Sequence, residues 1–99
     1  MKKLGLIKGR YPLPVDDYIV DWEVKEFTKK ELAPKILERL DKLGFMSLSF
    51  TAPEHVKLYL TGLTIVALTT IELLIKLGYV VHVMGFNPET QEYYEQGIF

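Results

Sequence analysis

Apolar and polar positions fall into separate blocks along this chain, each with its own period. Lys3 to Lys8 reads as a first strand. Gly9-Arg10-Tyr11-Pro12-Leu13-Pro14 interrupts it, because proline has no N–H to give a ladder. From Tyr18 to Lys25, Val20, Trp22 and Val24 fall on one face and Asp21 and Glu23 on the other. That is the period of a second strand. An antiparallel hairpin across the Pro-rich loop is the simplest pairing of the two.

The period then changes. Leu32, Ile36, Leu37, Leu40 and Leu43 form one apolar stripe at helical spacing. Thr28 and Glu31 have capping-box spacing, and Phe27 with Leu32 has the spacing of a hydrophobic staple. Gly44 is the expected stop. Pro34 either kinks this helix or marks its first turn.

Met46, Leu48 and Phe50 alternate with Ser47, Ser49 and Thr51, which predicts a half-buried strand. Ala52-Pro53-Glu54 ends it. Val56 to Leu60 predicts another strand, running into Thr61-Gly62. A second helix follows from Leu63 to Leu77, with Gly78 as its stop. Tyr79 to Met84 is nearly continuous in apolar residues, as in a strand covered on both faces. Phe86-Asn87-Pro88-Glu89-Thr90 predicts a turn, and Gln91 to Gln96 an edge strand. The expected fold is a single small α/β domain over residues 1–99: a mixed sheet of about five or six strands with two helices.

The second helix is apolar around most of its circumference, and such a helix must be covered on more than one side. Either it is a buried central helix, or one flank packs against another subunit, most simply in a two-fold homodimer or a higher homo-oligomer.

Composition narrows the chemistry. The chain has 99 residues, 48% hydrophobic, with 12 basic and 13 acidic side chains. A balance this even argues against a broad footprint for duplex nucleic acid. There is no cysteine, so thiol catalysis, zinc–thiolate sites and iron–sulfur clusters are excluded. The apolar run after Met1-Lys2-Lys3 is too short for a signal peptide. Leu63–Leu77 falls short of the roughly 20 residues that span a bilayer. The expected compartment is the cytoplasm, with no membrane partner, and the sequence names no cofactor.

The most informative segment is Leu58-Tyr59-Leu60-Thr61-Gly62-Leu63-Thr64. A strand ends, a short turn follows, and a helix begins at once. In open α/β sheets ligands sit outside the carboxyl ends of strands. The first turn of a helix presents unpaired N–H groups that favour anions. Gly62 would let a ligand approach the backbone, and Thr61 and Thr64 add hydroxyls. The alternative is ordinary capping by either threonine. Asn87 could hydrogen-bond a ribose or base, or make an Asx turn. Lys8 and Arg10 could clamp phosphate or simply be solvated. Tyr93 or Tyr94 could stack on a base, but adjacent strand residues face opposite ways. His82 lies mid-strand, as a general base or a hydrogen-bonded core or interface residue. His55 reads as a loop residue, and the two histidines share no metal-ligand spacing. Asp16-Asp17 reads as a solvated pair. No Walker loop, GxGxxG, HExxH or nucleophile elbow is present. No catalytic residue and no metal ligand is assigned.

Leu58 to Thr64, the helix that follows, and Val80 to Tyr94 resemble the core of CRISPR-associated Rossmann-fold (CARF) domains, which carry a Thr-Gly turn after a strand. The layout is also similar to the small CRISPR-associated ring nucleases distantly related to them, down to the Tyr18–Val24 strand followed by the Thr28–Leu43 helix. The resemblance implies a homodimer in antiviral defence that binds cyclic oligoadenylate across its two-fold axis. It also implies possible slow cleavage without a metal, by attack of a ribose 2′-OH on the adjacent phosphate. Thr61, Gly62, Leu63, Thr64, Asn87, Lys8 and Arg10 would then contact the ligand. Two positions depart from the pattern. Leu63 replaces a second glycine, and Asn87 stands where the small family has a carboxylate. The alternative function is a non-enzymatic structural or protein-interaction oligomer.

Overall fold

A computed structural model describes residues 1–8, 13–15, 17–46, 53–61 and 63–99. The elements are β1 (Lys2–Ile7), β2 (Asp17–Val20), α1 (Lys29–Lys42), β3 (His55–Tyr59), α2 (Thr64–Lys76), β4 (Val80–Asn87) and β5 (Glu92–Ile98). They build an α/β fold with one five-stranded mixed sheet in the order β2-β1-β3-β4-β5. β2, β1, β3 and β4 are parallel, and β5 returns antiparallel to β4. The predicted strand around Leu48 and Phe50 lies outside the described residues, and Met46 sits in a turn.

The expected β1–β2 hairpin is not formed: the two strands run parallel, with Leu4 opposite Asp17 and Ile7 opposite Val20. The reason is topological. β2 feeds α1, and α1 can return the chain to the start of β3 only if β2 and β3 run the same way. The segment from Lys8 to Asp16 can reach roughly 30 Å when extended, ample to carry the chain back along a six-residue strand. β2 also stops at Val20, although the alternation continues to Val24, because β1 ends at Ile7 and offers no further partner. Trp22 and Val24 still pack against the core from an irregular segment. Tyr18 lies over Gly5, where an added Cβ would stand 2.8 Å from its ring.

Both crossovers, β2-α1-β3 and β3-α2-β4, advance the same way across the sheet, so right-handed connections put both helices on one face. The core lies between them and the sheet. Leu4, Leu6, Val56, Leu58, Val81 and Val83 meet Leu32, Ile36, Leu40, Val66 and Leu74. By strand alternation the other face carries Lys3, Gly5, His55, Lys57, Tyr59, His82 and Met84.

α1 starts where its cap predicts. The Thr28 hydroxyl accepts from the Glu31 backbone N–H at 3.2 Å and donates to the Glu31 carboxylate at 3.0 Å. The expected staple is absent, since Phe27 is 87% exposed. Pro34 lies inside the helix and does not start it.

Both helices end the same way. Gly44 and Gly78 take φ of 85° and 95°, a left-handed conformation that glycine adopts without strain. Phe45 N–H donates to the Leu40 carbonyl, and Tyr79 N–H to the Leu74 carbonyl, at 2.9 and 3.0 Å. The residues after the two glycines then meet. The Phe45 and Tyr79 rings are 5.4 Å apart, and the buried Tyr79 hydroxyl donates to the Phe45 carbonyl at 2.9 Å. Burial pushes the Tyr79 hydroxyl pKa up, with Glu54 adding to the shift.

Candidate functional site

The predicted site lies at the carboxyl edge of the parallel strands. β3 ends at Tyr59, and Leu60 extends its pairing by donating to the Met84 carbonyl at 3.3 Å. Thr61 does structural work. Its hydroxyl donates to the Ile7 carbonyl at 2.8 Å and accepts from the Ile7 N–H at 3.2 Å. One side chain thus satisfies both backbone groups at the end of β1 and ties β1 to the turn after β3. Gly62 lies outside the described residues, as does Arg10. Lys8 is exposed and follows directly on Ile7.

Leu63 is the N-cap of α2, with extended backbone and no side-chain capping bond. The first helical hydrogen bond runs from Ala67 N–H to the Leu63 carbonyl at 3.2 Å. The N–H groups of Thr64, Ile65 and Val66 precede it, and a helix supplies no internal partners for them. Thr64 is exposed at this turn. The turn opens onto a groove of about 350 Å³, lined by Leu60, Thr61, Leu63 and Thr64 and then by Ala67, Leu68 and Ile71 along the helix. The groove lining is apolar with two hydroxyls and holds no titratable side chain among the described residues.

Asn87 takes the turn role rather than a free one: its Oδ1 accepts from the Glu89 N–H at 2.9 Å. Tyr93 packs edge-on against Tyr59 at 5.2 Å and against Phe86 at 5.0 Å. Burial raises the Tyr59 pKa, with Tyr93 adding to the shift. Tyr94 instead covers Gly85.

A second hollow, of about 200 Å³, is bordered by Asp21, Trp22, Lys35, Glu38, Arg39 and Lys42. Its cations are committed. Arg39 pairs with Asp21 at 3.4 Å and donates to the Tyr18 carbonyl, Lys42 pairs with Glu38 at 3.5 Å, and Lys35 pairs with Glu26. The Lys35 ammonium holds the Glu26 carboxyl down at about 2.

The structure also joins two residues that sequence spacing kept apart. His55 is not in a loop; it opens β3. Its Nδ1 lies 2.7 Å from Nε2 of His82, and His82 Nδ1 contacts the Glu95 carboxylate on β5. The histidines are 27 positions apart. They meet because β3 and β4 pair in parallel with His55 opposite Val80, so no local ligand spacing could have signalled the contact. Among the described residues, no group of three or more histidines, aspartates and glutamates gathers as a metal site. Among those residues, too, no helix is long and apolar enough to cross a membrane.

Comparison with family models, with curated proteins and with solved structures finds no match to this chain.

Proposed function

We propose that this chain is a homodimeric binding module for a small anionic ligand, a cyclic oligoadenylate, held at the paired α2 N-termini. The supporting observation is the first turn of α2, which no side chain caps and which opens onto a groove at the carboxyl edge of the sheet. Uncapped N–H groups and the helix dipole favour phosphate there. A two-fold dimer supplies the turn twice, which suits a ligand that is itself symmetric. Thr64 and the backbone around Gly62 contact the ligand, Lys8 contributes charge, and Thr61 positions the turn through Ile7. Among the described residues the groove holds no general base, so binding is favoured over turnover.

A second reading has its own support: Leu63, Leu68 and Ile75 are 48%, 57% and 45% exposed on α2. That apolar flank fits a protein-interaction oligomer with no ligand. Calorimetry with cyclic tetra- and hexa-adenylate separates the two. Binding that is abolished in Gly62→Val, with a native circular dichroism spectrum, supports the module. No heat with either ligand, at concentrations well above micromolar, leaves the interaction reading standing.

A further inference from the structure

The Glu95–His82–His55 chain lies on the sheet face that carries no helix, and no residue of the α2 groove belongs to it. An irregularity in the β4–β5 pairing builds it. Val83 pairs with Gly97 but Met84 pairs with Glu95, so Gln96 is an extra residue in β5. A bulge of this kind re-aims the side chains beyond it. Here it turns Glu95, in place of Gln96, onto the face of Met84 and His82. The Glu95 carboxylate accepts from His82 Nδ1–H, which leaves His82 Nε2 aimed at His55 Nδ1, 2.7 Å away. The His82 side chain is 11% exposed in the middle of β4, while His55 is exposed at the start of β3.

Two imidazole nitrogens at this distance hold one proton between them, one ring donating and the other accepting. In the neutral pair His55 donates to His82. One added proton enters at His55 Nε2, the Nδ1 proton passes to His82 Nε2, and the charge rests on His82 against Glu95. The contact survives, still with one proton between the rings. A second added proton puts an N–H on both facing nitrogens and a positive charge on both rings, and the contact cannot hold.

We infer that the pair is a proton-operated catch, which docks the start of β3 on β4 while at most one ring is charged and releases His55 when both are. His55 is the ring that leaves, because Glu95 retains His82. The other titratable groups on this face are Lys3 on β1, Lys57 and Tyr59 on β3, and Tyr93 on β5. Lys57 stands opposite His82 and Lys3 opposite Lys57, so both lysines add to the repulsion felt by a second cation. Glu54 precedes His55 but acts on the Tyr79 hydroxyl. Its carbonyl accepts from Val80 N–H at 2.9 Å, the backbone bond beside the catch. Release of His55 leaves that bond without its side-chain support.

The test follows the full chain by NMR from about pH 8 to about pH 5, the range in which imidazole changes charge. Ring nitrogen shifts report the protons, ring-to-ring Overhauser contacts report the catch, and amide exchange at Val80, corrected for its intrinsic pH dependence, reports the strand. The Overhauser contacts persist while one ring is charged and vanish as the second charges. Val80 protection falls with them by about tenfold, the weight of one hydrogen bond to a charged group. His55→Ala, at an exposed position that leaves the circular dichroism spectrum native, has the lower protection throughout and no step with pH. Two charged rings with their contact intact, or the same step in His55→Ala, overturns the catch. Either result leaves the ligand reading of the α2 groove untouched, since the cyclic nucleotide titration uses none of these residues.

Discussion

α1 and α2 lie against the same sheet face, yet they are built on opposite plans. α1 has eight charged side chains in 14 residues, buries Leu32, Ile36 and Leu40, and is capped by Thr28. α2 has two charged side chains in 13 residues and no side-chain cap. It buries Thr69 and Thr70 while Leu68 and Ile75 face outward. The two buried hydroxyls donate back to the Ile65 and Val66 carbonyls at 2.7 and 2.8 Å, so neither is left unpaired. α1 is therefore complete within one chain. α2 presents an apolar flank that α1 and the sheet leave uncovered, together with an uncapped first turn. An amphipathic stripe thus tells where a helix packs, and its absence leaves apolar side chains such as Leu68 and Ile75 in solvent within the single chain.

The sharpest way to break this comparison is to truncate equivalent residues. Ile36→Ala in α1 should cost about 2–5 kcal/mol, as a fully buried residue leaves a cavity. Ile75→Ala in α2 should cost less than about 0.5 kcal/mol, since that side chain is 45% exposed. Urea denaturation in a Leu68→Glu background, chosen to remove any contribution from the proposed dimer, measures both. Equal costs would erase the distinction.

Leu68→Glu itself tests the outward flank. Light scattering at micromolar concentration should give a dimer mass for the wild type and half that mass for the variant. A wild-type monomer would remove the need for a second surface.

The helix starts provide a smaller contrast. Thr28→Ala should destabilise the chain by about 1 kcal/mol through loss of its cap. Thr64→Ala should leave stability within about 0.5 kcal/mol, because it caps nothing. It should still weaken ligand binding.

The smallest effect lies where the helices touch. Glu72 on α2 accepts from Lys29 of α1 at 2.8 Å and pairs with Lys76 at 2.9 Å. Lys29 first and Lys76 second hold its carboxyl down at about 2. The stabilisation is complete above the ordinary value of 4.5 and is lost as pH falls towards 2. Glu72→Gln should therefore lower the melting temperature slightly near neutrality, flatten its pH dependence between 4.5 and 2, and leave the acid end unchanged. An unaltered slope in that window would count against the pair, which is exposed and screened by salt.

Much of the architecture was legible in periodicity. Both helices, their glycine stops, and strands at Val56–Leu60, Tyr79–Met84 and Gln91–Gln96 follow from spacing that local backbone geometry imposes, while His55, read as a loop residue, opens β3. What escaped depends on partners distant in sequence. The direction of β2 is set by where α1 must deliver the chain, and its length by where β1 ends. Phe27 had staple spacing but points into solvent. At the candidate site, the strand-to-helix turn was readable, whereas its lack of a threonine cap, Thr61's use by Ile7 and the meeting of His55 with His82 required the structure.

That sheet order also shapes how the chain reaches its native state. β4 and β5 close through a short turn, and β3 joins β4 across one helix, so residues 53–99 assemble from nearby pairings. β1 must instead find β3 from 54 positions away, as Lys2 meets Val56. Long-range closure of this kind slows folding. The Thr61–Ile7 bonds lie beyond the last paired residues of that ladder, and the expectation is that they form late. Removing them with Thr61→Val should hasten unfolding while refolding keeps its rate, the signature of a contact made after the barrier is crossed.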